Sequence, residues 1–417
     1  MSSLLTRHIE PAARDILAYM PGLLIEGARQ VGKSTLTRQL VAGDDALVLS
    51  LDDQSTRDAV REDPSGLLAH AGGRVVVIDE IQRLPELTLA VKASIDGDKR
   101  PGRYILTGSS SLFRVRGLAD SLAGRVGRLT LYGFSQGELA GRTDDFAGSV
   151  SQTGWTTGPE FTTTVSRSQY AELIAAGTYP DAVSLTDARR RGWLDDYLQG
   201  LIRRDLPGLH REVRPDRVLA LIRLLAANQA GELVKAHLAR DAQIPAATIT
   251  TYLDLLADTW LAAALPPWTP NLSQREIARP KALVLDSGLA TRLNRLTGAR
   301  LATLEYGQAF GSLLEGFVSA ELLRQQAWTT APYDLYHYRD RAGAEVDLIL
   351  ELEGGQVIAI EVKASTSFQA SHFQGLKQLR DRLGERFLLG IVLNTGPTGY
   401  RYADRLYGLP VSAVWEL

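Results

Sequence analysis

Apolar runs alternate with helix-spaced apolar positions along the first 140 residues, the pattern of a parallel sheet covered by helices. The runs are Leu23–Glu26, Ala46–Leu51, Arg74–Ile78 and Arg103–Thr107, and Leu129–Leu131 is a further candidate strand. The first, third and fourth are apolar nearly throughout, as strands buried on both faces are. Asp144–Ser168 breaks this rhythm: Gly, Ser, Thr and other polar residues without periodicity predict a linker or surface insertion. From Gln169 to about Leu265 the spacing is helical, as in Arg189–Arg203 and Arg217–Asn228. From Lys281 onward the texture is mixed. Leu313–Gln326 predicts a helix, Glu345–Glu351 with Gln356–Lys363 a hairpin, Gln374–Leu383 a helix and Phe387–Asn394 a strand. No internal repeat is visible.

Composition narrows the possibilities. A chain of 417 residues exceeds one ordinary domain, so two or three are expected. The net charge of −2 supplies no overall basic field, so any contact with nucleic acid must come from a local patch. The absence of cysteine excludes disulfides, Cys-ligated zinc, iron–sulfur clusters and thiol catalysis, and fits a cytoplasmic setting. The N-terminal stretch MSSLLTRHIEPAARD has acidic residues and no apolar core, which reads against a signal peptide. No run of about 18 apolar residues predicts a transmembrane helix. Only 7 of the 46 basic residues are lysine, which singles out Lys33 and Lys363, both inside chemical motifs.

The first motif is Gly27-Ala28-Arg29-Gln30-Val31-Gly32-Lys33-Ser34-Thr35, which follows an apolar strand and opens a helix. Its glycines let the backbone curl so that N–H groups face an anion, and the helix adds its positive N-terminal end. Lys33 is then placed to bridge the β- and γ-phosphates, with the Ser34 hydroxyl on Mg²⁺. Val75–Ile78 runs into Asp79 and Glu80 at the edge where α/β sheets bind their ligands. Asp79 is expected to hold the magnesium through water, and Glu80 to polarise the attacking water. Gln30 and Gln82 are polar neighbours to which spacing assigns no role.

Arg103–Thr107 ends in Gly108-Ser109-Ser110-Ser111, where a polar side chain can reach the γ-phosphate or simply cap a turn; Ser109 is the candidate. Arg114, Arg116, Arg125 and Arg128 follow, and Arg125 is the candidate for offering charge to a γ-phosphate.

Taken together, the loop Gly27–Thr35, the string Val77–Gln82, Leu106–Ser110 and Ala123-Gly124-Arg125 resemble AAA+-type P-loop ATPases. More narrowly, they resemble a widespread prokaryotic group that carries a C-terminal winged-helix segment and a restriction-endonuclease-like domain of unknown function. The resemblance covers nearly the whole chain, the polar linker excepted. It implies ATP binding with Mg²⁺ and ATP hydrolysis. Because such sites often lie at subunit interfaces, it also implies self-association, with Arg125 acting either within its own subunit or across to a neighbour.

Glu232–Leu265 has the rhythm of a helix-turn-helix, turning at Gln243-Ile244-Pro245, with Trp260–Leu265 as a wing strand. DNA reading asks for Arg, Lys, Asn or Gln at the front of the second helix. That helix offers threonines, alanines and Asp254, so a module that packs or contacts protein stands beside the DNA reading. Arg189–Arg223, with nine arginines against five acids, faces either phosphates or a domain interface.

In the C-terminal part, strand alternation puts Glu345 with Asp347, and Glu361 with Lys363, on single faces to either side of Gly354-Gly355. Two carboxylates brought together there would hold a second Mg²⁺ or Mn²⁺, with the lysine beside a phosphate or the attacking water. The arrangement resembles the PD-(D/E)xK nuclease signature, with Asp347, Glu361 and Lys363 at its core positions and Glu315 as the accessory acid. Arg339-Asp340 and Gly343-Ala344 depart from the expected Pro-Asp pair. An active nuclease and a nuclease-like fold used only for binding both remain open.

The expected chain is therefore α/β: a P-loop NTPase parallel sheet over 1–143, a polar stretch over 144–168, a helical and winged-helix-like domain over 169–280, and a nuclease-like α/β domain over 281–417. Its expected partners are ATP or ADP, DNA and further copies of itself.

Overall fold

The computed structural model describes residues 5–109, 122–152, 155, 160–205, 213–269, 279–340 and 343–417. They form two compact units. One runs to Phe134 and includes Asp258–Trp260, and the other comprises Ser135–Ala257 and Leu261–Leu417. Among the described residues no helix is long and apolar enough to cross a membrane.

The first unit is a five-stranded parallel sheet of β1 (Gly22–Glu26), β2 (Ala46–Ser50), β3 (Val75–Asp79), β4 (Tyr104–Gly108) and β5 (Val126–Thr130). Its order is β2-β3-β4-β1-β5. The central β1 and β4 are buried along their whole length, which accounts for their unbroken apolar sequence. The edge strand β2 leaves Val48 57% exposed. One side of the sheet packs Leu24, Val76, Ile78, Tyr104 and Leu106 against Val91 and Ile95 of the helix Leu87–Gly97. Because β4 lies between β1 and β3, Ile25 pairs with Thr107 and Ile78 with Leu106, so three strand ends open side by side. Ser110, Ser111, Arg114 and Arg116 lie outside the described residues.

The second unit begins with helices, including Arg167–Ala176, Asp187–Gly200, Pro215–Ala227, Lys235–Asp241 and Ile249–Asp258. An antiparallel pair, β6 (Ala262–Leu265) with β7 (Lys281–Val284), follows. After the helix Gly307–Gln325 comes a six-stranded sheet of β8 (Tyr333–Arg339), β9 (Glu345–Leu352), β10 (Val357–Lys363), β11 (Phe387–Asn394), β12 (Tyr400–Ala403) and β13 (Leu406–Pro410). Its order is β12-β13-β11-β10-β9-β8. β8, β9 and β10 form an antiparallel meander. β10 then pairs in parallel with β11, so the chain crosses over, and the helix Gln374–Leu383 makes that crossing. Gly354 and Gly355 at the β9–β10 turn both take positive φ, 89° and 81°, which side chains resist.

Within the polar stretch expected as a linker or insertion, Phe146–Ser151 is a helix that buries Phe146, Ala147 and Val150. Side chains from the helix Gly307–Gln325 and the residues after it hold this segment. The Gln136 N–H donates to Glu321 (2.8 Å) and the Phe146 N–H to Gln325 (2.9 Å). The Trp328 ring N–H donates to the Asp144 carbonyl (2.6 Å). No periodicity announces a six-residue helix anchored by such long-range bonds.

Glu321 is fully buried with Arg324, whose guanidinium lies 2.8 Å away, and burial pushes its carboxyl up to about 7. Removing one member of a buried ion pair typically costs about 3–5 kcal/mol. Glu321→Ala should lower the urea-unfolding free energy by about that amount. The folded carboxyl holds its proton more tightly than an unfolded one near 4.5. Wild-type stability should therefore gain a falling contribution as pH rises from 4.5 to about 7, and Glu321→Gln should lack it.

Candidate functional site

The loop after β1 is shaped by two backbone constraints. A Cβ on Gly27, whose φ is 154°, would stand 2.1 Å from the Leu131 carbonyl oxygen, so only glycine fits where the loop leaves the sheet. Gly32, with φ 97°, starts the helix Lys33–Leu40 from the left-handed region, and Gln30 also has positive φ, 61°. Ala28 and Val31 are buried, whereas Arg29, Gln30 and Thr35 retain surface. Lys33 is buried, and its ammonium donates to the Gly27 (3.0 Å) and Ala28 (2.9 Å) carbonyls. It also lies 3.9 Å from Glu80. Burial lowers its pKa, and Glu80 and Asp79 oppose that effect.

The ends of β3 and β4 complete the site. The Ser34 hydroxyl donates to one Asp79 oxygen (3.0 Å), and the Thr107 hydroxyl donates to the other. The same Thr107 oxygen accepts the Glu80 N–H (3.0 Å). Glu80 sits in the left-handed region, φ 58° and ψ 48°, a conformation that costs a non-glycine residue about 1–3 kcal/mol. Its carboxylate is fixed by Ser109 (2.7 Å) and by Gln82, whose amide also donates to Ser109 (2.9 Å). Ser34, Asp79, Thr107, Glu80, Ser109 and Gln82 thus form one connected hydrogen-bond network. The adjacent hydroxyl and carboxylate of Ser34 and Asp79 are hard oxygen donors of the kind Mg²⁺ takes, so these residues fit the ion.

Arg125 is held elsewhere. Its guanidinium forms a bidentate pair with Asp96 at 2.7 and 3.0 Å, which raises its pKa, and it makes no bond to this network.

In the second unit the predicted acids do converge. Asp347 accepts the Val362 N–H (2.8 Å) and lies 4.0 Å from Lys363, which pairs with Glu361. Between Glu315 and Asp347 stands a side chain that sequence reasoning passed over, Lys281. Its ammonium is 2.7 Å from Glu315, 3.2 Å from Glu345 and 3.5 Å from Asp347. Burial opposes the Lys281 charge, but the three carboxylates outweigh it and raise its pKa. Burial and then Asp347 push Glu315 up to about 8 and Glu361 up to about 7. Among the described residues no group of three or more His, Asp or Glu side chains is disposed to hold a metal ion. An ammonium thus stands between Glu315 and Asp347.

Three domain families match the chain: an AAA domain over residues 20–140, a domain of unknown function (DUF8612) over 167–300, and another (DUF4143) over 310–414. Uncharacterized protein Rv2008c of Mycobacterium tuberculosis is 31% identical over 373 residues, spanning 88% of this chain and 76% of that one. Uncharacterized protein Mb2031c of Mycobacterium bovis aligns with the same identity and spans. The chain belongs to the family of these two mycobacterial proteins. Among solved structures, the Walker-type ATPase PABY2304 of Pyrococcus abyssi is similar at 17% identity and a TM-score of 0.45, over 70% of this chain and 96% of that one. RuvB of Thermotoga maritima is similar at 19% identity and a TM-score of 0.25, over 62% of this chain and 86% of that one.

In this family member the first unit is thus an AAA-type, P-loop ATPase domain that supports ATP binding. Sequence reasoning missed three residues around its loop. Thr107 and Gln82 were in view but had no role until strand order placed them beside Asp79 and Glu80. Arg7 gave no signal at all. It is 6% exposed and donates to the Val31 carbonyl (2.8 Å) within the loop and to the Tyr132 carbonyl (2.8 Å) beyond β5. Its guanidinium also lies 4.9 Å over the Phe134 ring. Arg7 thus ties the Val31 carbonyl of the loop to the segment after β5. Lys33→Ala should abolish ATP binding in a folded chain. Arg7→Met should weaken it about tenfold with helix content unchanged, and Arg7→Lys should recover part of the loss. Fluorescent ATP-analogue titration with circular dichroism would check both.

Proposed function

We propose that the chain is a Mg²⁺-dependent ATPase whose first unit binds ATP at Gly27–Thr35 and whose second unit is a nucleotide-gated binding module with a nuclease-like fold. The observation that carries the ATPase reading is the network joining Ser34, Asp79, Thr107 and Glu80 at adjacent strand ends. Lys33 would exchange its loop carbonyls for the β- and γ-phosphates, and Ser34 and Asp79 would hold Mg²⁺, which would supply charge neutralisation at the transferred phosphoryl group. Glu80, aimed by Ser109 and Gln82, orients the attacking water and takes its proton. The Asp96 pair occupies Arg125, so a catalytic role for this arginine, in its own site or across to a neighbouring subunit, requires that pair to open.

Helices Pro215–Ala227, Lys235–Asp241 and Ile249–Asp258 followed by the β6–β7 pair support a winged-helix segment. The succession of Gly307–Gln325, β8, β9, β10, Gln374–Leu383 and β11 supports a nuclease-like fold. The convergence of Asp347, Glu361 and Lys363 favours a second reading, in which this unit cleaves DNA. Incubating plasmid and branched DNA with Mn²⁺ and either wild type or Asp347→Ala separates the two readings. The binding-module reading expects no cleavage by either protein. For the ATPase, Glu80→Gln should keep ATP bound while slowing turnover at least about tenfold, since positioned general bases contribute about 10²–10⁴. Equal steady-state phosphate release would remove Glu80 from catalysis.

A further inference from the structure

We infer that Lys281 is the resident cation of the C-terminal carboxylate cluster and keeps divalent metal out of it. This rests on the nuclease-like reading of the second unit and is independent of the ATPase.

The geometry begins with the backbone. Lys281 opens β7, where it pairs with Leu265 of β6 and forms an isolated bridge with Glu232. The Leu233 N–H donates to the carbonyl of Pro280 beside it (2.8 Å). Strand contacts on both sides therefore fix the start of this side chain. The side chain is 5% exposed, and its ammonium meets carboxylates from two further elements: Glu315 on the helix Gly307–Gln325, and Glu345 and Asp347 on β9. Glu345 and Asp347 share a face of β9 because strand residues alternate, and the helix turns Glu315 toward the same place. Three acids from two elements thus converge on one ammonium.

A divalent cation binds carboxylate oxygens at about 2.0–2.6 Å. An ion shared by Glu315 and Asp347 would sit within a few ångströms of the Lys281 ammonium, in a region where little water screens their repulsion. Lysine and metal are therefore alternatives at this position. Lys363 differs in kind: it is more exposed, 32% at its side chain, and pairs with Glu361 on its own strand. Lys363 lies 4.0 Å from the Asp347 oxygen that accepts the Val362 N–H, whereas Lys281 lies 3.5 Å from the other.

A further observation agrees. One oxygen of Asp347 is committed to the Val362 N–H, so its free valence points at Lys281.

The test uses the full chain and Mn²⁺ alone as probe. Calorimetry on the full chain carrying Asp79→Ala, which removes the carboxylate of the nucleotide site, should show no Mn²⁺ binding that depends on Asp347. Lys281→Met, which keeps the aliphatic length and removes the charge, should gain Mn²⁺ affinity by at least about tenfold, and adding Asp347→Ala should abolish the gain. Equal Mn²⁺ binding with and without Lys281, or none in a folded Lys281→Met chain, overturns the inference. If Lys281→Met does not fold, reductive methylation of the unaltered protein decides. Lys281 should stay unmodified under conditions that modify the exposed Lys99, and equal modification of the two overturns the inference. Metal-dependent DNA cleavage by wild type would instead strike at the binding-module reading, so the two failures are distinguishable.

Discussion

The insertion of β4 between β1 and β3 is the constraint on which the nucleotide site depends. Parallel pairing aligns the three carboxyl ends, so the loop from β1, the acids from β3 and Thr107 with Ser109 from β4 meet at one edge. Thr107 is the joint. Its hydroxyl donates to Asp79 and accepts from the Glu80 N–H, so one side chain sets both acids. Glu80 keeps its left-handed backbone because the surrounding bonds over-determine it, and local strain of this kind concentrates where geometry serves chemistry.

The two acidic centres differ in how their charge is balanced. In the first unit Lys33 stands 3.9 Å from Glu80 while bonded to loop carbonyls, contacts that a phosphate can replace. In the second, Lys281 contacts three carboxylates directly and is nearly shut from solvent. An ammonium bonded to neutral carbonyls is easily recruited by an anion, whereas one held by several carboxylates is not. The same residue type therefore marks an open site in one unit and a closed cluster in the other.

A polar core ties the second unit together. Glu321, Arg324 and Gln325 on one face of the helix Gly307–Gln325 receive Gln136, Thr178, Phe146 and the Val414 carbonyl. Buried polar groups need partners, and these bonds at long sequence separation fix where the segment after Phe134 lies within this unit.

The sequence by itself determined the P-loop, the acids that end β3, the α/β class and the helix and hairpin positions of the C-terminal part, because each is written in local periodicity or in a contiguous motif. It could place Asp347, Glu361 and Lys363 on shared faces, since strand alternation is a local rule. It could not show that Lys281, 66 residues before Asp347, would stand between the acids, because that depends on packing the β6–β7 pair against a helix and a distant strand. Arg7 and Thr107 were equally silent, one for want of any pattern and the other until strand order gave it neighbours. The helix at Phe146–Ser151 was hidden for a related reason. Short elements and buried charges owe their places to long-range bonds, which tertiary structure alone supplies.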